Sequence, residues 1–175
     1  GQSEQAKQFD QYGASTDWFD EISRTGFSQN HSLSLSGGSS KSNYRASVNY
    51  LKNSGVIRDN EMERFNFRFQ FQQRAINDRL RIGLTGAATI LDYNPTYGYN
   101  FVLAYNMLPV FPVKMSDGSW YENVGYDLGN PVHNIEANTR ENKTNSYYGV
   151  GDLQFTIIDG LDIKASLYKS RRLNE

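Results

Sequence analysis

From Asn30 onward, apolar and polar residues alternate with a period of two, the spacing of a strand with two differently solvated faces. The pattern predicts six strands. The first covers about Asn30 to Gly37, with Leu33 and Leu35 opposed to serines, and the second about Asn43 to Lys52, with Tyr44, Ala46, Val48 and Tyr50 on one face. The third, about Glu63 to Gln73, alternates most cleanly: Phe65, Phe67, Phe69 and Phe71 share a face against Arg64, Asn66, Arg68, Gln70 and Gln72. The fourth runs about Arg79 to Leu91, the fifth about Asn145 to Ile157 and the sixth about Leu161 to Arg171. Asp159-Gly160 predicts a type I′ hairpin turn between the last two.

These runs organise the chain into four stretches. Residues 1–29 read as an extracellular loop or insertion, with a helix expected around Thr16 to Arg24 and capped by Thr16. Residues 30–91 hold four strands. Residues 92–143 form a long loop with all four prolines and an expected helix near Tyr99 to Met107, and residues 144–175 hold two more strands. Short connections and long ones fall at opposite ends of the sheet, as in outer-membrane barrels. Several runs exceed the globular average of about 5–6 residues and match the roughly 9–11 that a tilted strand needs to cross a bilayer. The expected fold class is therefore all-β: antiparallel strands of a transmembrane β-barrel. A soluble β-rich glycan-binding module, in which the phenylalanine stripe would be a sandwich core, is the alternative.

Composition changes this picture little. Mean hydropathy is −0.66, which an alternating membrane strand also gives. The 12 Tyr, 10 Phe and 2 Trp suit strands and interfacial girdles. Net charge is −1, so no nucleic-acid partner is expected. There is no cysteine, hence no disulfide or thiolate site. The polar start GQSEQAKQFDQYG is unlike a leader. Six strands fall short of the about 8 of the smallest lipid-spanning barrel, so flanking strands are expected outside these residues. His31 and His133 are far apart in sequence and make no catalytic or metal pair, so neither an enzyme nor a cofactor or metal site is expected.

The segment TDWFDEISRTGFSQNHSLSLSGGSSKSNYRASVNYLKNSGVI resembles the early barrel of SusC/RagA-family proteins. The matching features are Thr16-Asp17-Trp18, Gly26 with Gln29 and His31, Leu33 to Gly38, and Tyr44 to Ser47. NMLPVFPVKMSDGSWY, from Asn106 to Tyr121, is similar to a proline-rich segment of that family, and IIDGLDIKASL to its hairpin that re-enters the barrel. The resemblance implies an outer-membrane TonB-dependent transporter of about 22 strands around a plug. By that resemblance it is expected to import oligosaccharides or peptides with a SusD-like lipoprotein as lid, with TonB acting through a region outside this segment. Tyr97, Tyr99, Phe101, Tyr105, Trp120 and Tyr121 in the long loop are candidate substrate or lid contacts, since aromatic faces stack on sugars and pack on peptide side chains. Packing of these rings within the loop or against the plug is the competing reading. Arg45, Arg64, Arg68, Arg79 and Arg81 are expected to line the lumen, with outer-membrane lipid on the opposite face.

Overall fold

The computed structural model describes residues 13–95, 98–122, 129–138 and 141–174. Its strands are β1 (Phe27–Gly38), β2 (Ser42–Ser54), β3 (Glu61–Ala75), β4 (Leu80–Asn94), β5 (Asn142–Ile158) and β6 (Leu161–Asn174). Three short helices are described: α1 (Trp18–Ile22), α2 (Tyr99–Asn106) and α3 (Pro131–Ala137). The chain divides into two compact units. One comprises Ser28–Asn53, Met62–Tyr93 and Glu141–Glu175; the other comprises Gly1–Phe27, Ser54–Glu61 and Asn94–Arg140.

The first is a sheet unit. Its strands lie in sequence order, β1-β2-β3-β4-β5-β6, as an antiparallel meander that does not close on itself. Strands run from 12 residues in β1 to 17 in β5, longer than the alternation alone marked out. Pairing continues through polar residues until the connections begin: Asp92 and Tyr93 of β4 are still in register with Lys143 and Asn142 of β5.

Register decides the faces. Leu80 lies opposite Phe155 and Ile82 opposite Leu153; on the other side of β5, Phe155 pairs with Ile163 and Leu153 with Ala165. The intervening positions are polar: Arg81 opposite Gln154 and then Lys164, Gly83 opposite Asp152 and then Ser166. Hydrogen bonds knit this polar face across strands. Asn49 Nδ2 donates to Asn30 Oδ1 (2.6 Å), Asn66 Nδ2 to Asn49 Oδ1 (3.4 Å) and Thr89 Oγ1 to Asn66 Oδ1 (2.9 Å), spanning β1 to β4. Ser166 Oγ donates to Asp152 Oδ1 (2.6 Å), joining β5 and β6.

The apolar face is uncovered. Leu35, Phe65, Phe67, Leu84, Leu153, Phe155, Ile163 and Leu167 are all exposed, Leu167 at 78%. A soluble sandwich would bury this stripe beneath a second layer, and a contiguous exposed patch of this kind marks an interaction surface.

One turn differs from the sequence reading. Of Asp159 and Gly160, only Gly160 has positive φ (87°), so the turn is not the doubly left-handed type I′. The difference is absorbed by a register shift between Thr156 and Ile158, since one extra residue in a strand re-aims the chain as a left-handed residue does. Left-handed backbone occurs instead in the β3–β4 turn, at Ile76 (φ 53°), Asn77 (51°) and Asp78 (64°).

The second unit is built from connections yet has its own core. Trp18, Ile22, Ile57, Ala104, Met107, Phe111, Tyr121, Val132 and Ile135 are buried together. Full burial of each large side chain is worth about 1.5–3 kcal/mol, and these come from three separated stretches of sequence. Polar contacts lock the stretches. Trp18 Nε1 donates to the Leu108 carbonyl (3.0 Å) and Thr16 Oγ1 to the Phe111 carbonyl (2.6 Å). Arg24 donates to the carbonyls of Gly55 (3.2 Å) and Asn60 (3.0 Å) and pairs with Glu61 (3.2 Å).

The cap of α1 is Asp17, whose carboxylate accepts from the amides of Phe19 and Asp20, and not Thr16. Thr16 is drawn away because its hydroxyl serves the Phe111 carbonyl. Helix α3 was not foreseen, although Asn130-Pro131 carries its signature: an asparagine cap followed by proline at the first helical position. His133, expected in a loop, therefore sits on a helix.

Candidate functional site

Helix α2 presents three of the six aromatic candidates, Tyr99, Phe101 and Tyr105. Its inward side carries Asn100, Leu103 and Ala104, all buried. That leaves Tyr99, Phe101, Val102 and Tyr105 outward, with Tyr99 and Phe101 both 46% exposed and Tyr105 79% exposed. The usual amphipathic arrangement is thus partly reversed, with aromatic rings facing out and an asparagine in. Asn100 is accommodated because its Oδ1 accepts a 2.5 Å hydrogen bond from Asn134 Nδ2 on α3.

Trp120 lies in a small hairpin. Lys114 and Trp120 are bridge partners, and Asp117-Gly118 makes the turn, with Gly118 at φ 84°. Asp117 Oδ1 accepts from the Ser119 hydroxyl (2.6 Å) and amide (2.9 Å), which holds its carboxyl below the ordinary value of 3.8. The indole stacks on His133, with ring centroids 5.2 Å apart and planes at 9°. Lys114 Nζ lies 4.0 Å from the indole centroid, a cation–π contact. The half-buried Trp120 ring is thereby fixed on two partners.

Tyr121 is placed differently. It is 3% exposed and stacks on Phe111 at 4.6 Å, so its ring supports the unit from within. Tyr97 lies outside the described residues. Among the described candidates, Tyr99, Phe101 and Tyr105 share one helix, while Trp120 belongs to the separate stack with Lys114 and His133.

The arginines belong to the sheet unit. Arg64 and Arg68 flank Asn66 on β3 and so share the polar, hydrogen-bonded face; Arg45 on β2 shares it with Asn49. Arg81 is in register with Gln154 on the same face. Arg79 lies in the turn before β4, where its carbonyl accepts from the Thr156 amide (2.8 Å). Arg45, Arg68, Arg79 and Arg81 are exposed; Arg64 is half-buried, and its Nε is enclosed without an acceptor among the described residues. Toward the short-turn end, Arg81, Lys41, Arg74, Lys164, Asp152 and Gln154 line one polar hollow. No group of three or more His, Asp or Glu is placed to hold a metal among the described residues.

An antiparallel meander of long strands, knitted by hydrogen bonds on one face and bare and apolar on the other, is a section of β-barrel wall. No protein-family profile matches the chain. TonB-dependent receptors P3 and P26 of Formosa agariphila are each 31% identical to it, over 87% and 76% of the chain. TonB-dependent receptor SusC of Bacteroides thetaiotaomicron is 26% identical over 88%. The chain spans only 16%, 14% and 18% of the lengths of these three relatives. Among solved structures, the RagAB peptide importer shares its fold. The closed-closed state gives a TM-score of 0.71 at 21% identity over 91% of the chain, and the open-open state 0.72 at 21% over 90%; each match covers 19% of that longer chain. The chain belongs to the SusC/RagA family of TonB-dependent receptors and is a fragment of a larger protein.

Proposed function

We propose that this segment forms part of the wall and outer loops of an outer-membrane importer. The complete receptor takes up oligosaccharides or peptides, is energised by TonB through a region outside this segment, and works with a SusD-like lipoprotein. The observation that carries this reading is the division of the sheet into an uncovered apolar face and a hydrogen-bonded polar face. In an importer the first faces hydrocarbon and the second lines the lumen with Arg45, Arg64, Arg68, Arg79 and Arg81. The names of the relatives point the same way. In the loop unit, the outward rings of Tyr99, Phe101 and Tyr105 are the surface offered to substrate or lid, with Trp120 beside its lysine and histidine. Tyr97 is assigned to that surface on sequence alone. Tyr121 contributes by holding the core on which the surface rests.

Single cysteines test the orientation, since this segment has none of its own and any elsewhere in the receptor are first replaced by serine. In the full-length receptor in whole cells, Arg68→Cys should react with a small water-soluble maleimide through the lumen, whereas Phe67→Cys should react only with a lipid-soluble one. Equal aqueous labelling of both positions would refute the membrane-wall assignment. The loop surface is tested by Phe101→Ala/Tyr105→Ala, which should weaken lipoprotein co-purification or substrate-dependent growth. Wild-type behaviour in both would remove α2 from the contact surface.

A further inference from the structure

The apolar face changes character partway along the strands. Three successive cross-strand rows are hydrocarbon or bare backbone: Leu80–Phe155–Ile163, Ile82–Leu153–Ala165 and Leu84–Gly151–Leu167. The next row is Gly86–Gly149–Lys169, and the one beyond it Ala88–Tyr147–Arg171. Two basic side chains of β6 therefore stand on the same face as Leu167, one and two rows nearer the end with the long connections. Both are exposed, and neither forms an ion pair among the described residues. Lys143, on the same face further along, differs in having Asp92 at 3.7 Å.

Beside the two cations the face is hollowed. Gly86 and Gly149 are register partners, and a Cβ built on either would meet nothing within 4 Å. The bare backbone makes a trough across β4 and β5, with Leu84, Ala88, Leu167 and Tyr147 as its neighbours in the register. An apolar trough with an unpaired lysine and arginine at one end complements a molecule with a hydrocarbon tail and an anionic head.

The geometry points to a binding site for a phosphorylated membrane lipid, whose headgroup phosphate is held by Lys169 and Arg171 and whose acyl chain lies over Gly86 and Gly149. Side chains two residues apart on a strand emerge about 6.8 Å apart, within reach of one phosphorylated headgroup. The guanidinium offers a planar fork to phosphate oxygens, and the lysine stem lies along hydrocarbon while its ammonium reaches the polar layer. This inference rests on the apolar face being the lipid face, as proposed above.

The test uses the full-length receptor, purified in mild detergent and reconstituted in nanodiscs of phosphatidylcholine with a minor fraction of phosphatidylglycerol. Lipid retention is read by native mass spectrometry. Wild type should retain phosphatidylglycerol over phosphatidylcholine, and Lys169→Ala/Arg171→Ala should lower that preference about tenfold, given the attraction expected of two cations near a headgroup. Arg172→Ala removes a charge one residue away, on the opposite face across from Ser146, and should leave retention unchanged. Gly149→Leu fills the trough without altering charge and should also lower retention. Undiminished retention in the double variant, equal retention of phosphatidylcholine, or displacement of lipid by millimolar inorganic phosphate alone would overturn the site. A receptor that fails to enter nanodiscs at all would instead overturn the membrane-wall reading on which the site rests.

Discussion

Single residues carry unequal shares of this architecture. Asn130 is 2% exposed and does two tasks. Its Oδ1 caps α3 by accepting from Val132 N (3.0 Å) and His133 N (3.3 Å), while its Nδ2 donates to the carbonyls of Val113 (2.8 Å) and Tyr121 (3.2 Å). Asn130→Ala should therefore cost more than an ordinary cap, roughly 2–4 kcal/mol of loop-unit stability. Faster hydrogen exchange of the α3 and Trp120 amides, with sheet amides unaffected, is the expected signature. Ile76 has the opposite character. A β-branched residue at φ 53° is strained, and its side chain is exposed and gains little from packing. Ile76→Gly should raise stability by about 1 kcal/mol, read as a higher urea midpoint for the detergent-folded receptor; a lower midpoint would show that the isoleucine finds a stabilising partner.

At the scale of elements, the strands and the helices α1 and α2 are legible in the sequence, whereas α3 and the packing of the loop unit are not. Period-two alternation is a local property, so Phe65 to Phe71 and Leu80 to Ile90 declare their faces without tertiary information. Strand ends were set too short because Asp92, Lys143 and Asn142 are polar; register, which sequence does not display, keeps them paired. Helix α3 shows no period in its seven residues, and its sequence signature is the Asn130-Pro131 start. The convergence of Trp18, Ile57, Phe111 and Tyr121 on one core depends on contacts between distant stretches, which no local pattern announces. For the same reason six aromatic candidates looked equivalent, and only the packing separates the buried Tyr121 from the outward Tyr105. The faces themselves yield a prediction. Leu84→Arg puts a charge amid the aliphatic rows and should cost about 2–4 kcal/mol, whereas Thr85→Arg, one residue on and facing the polar side, should be tolerated. Heat-modifiable migration of the folded barrel distinguishes the two; equal destabilisation would mean that both faces meet hydrocarbon.

Taken whole, the molecule couples a repetitive part to an idiosyncratic one. The sheet unit needs only alternation and hairpins, and its neighbouring strands repeat one plan. The loop unit has no such repeat, because its core is assembled from the stretch before β1, the β2–β3 connection and the β4–β5 connection. Arg24 exemplifies the dependence, with three of its contacts falling in another of these stretches. Transplanting loops from a related receptor should therefore give all-or-nothing behaviour. Exchanging 94–140 alone would strand Trp18 and Ile57 without their native neighbours and should yield protein that is degraded or inert. Moving the three stretches together should give a chimera that reaches the cell surface, countable by antibody on intact cells. Inheritance faces the same constraint: variation in one of these stretches survives best when the other two change in step.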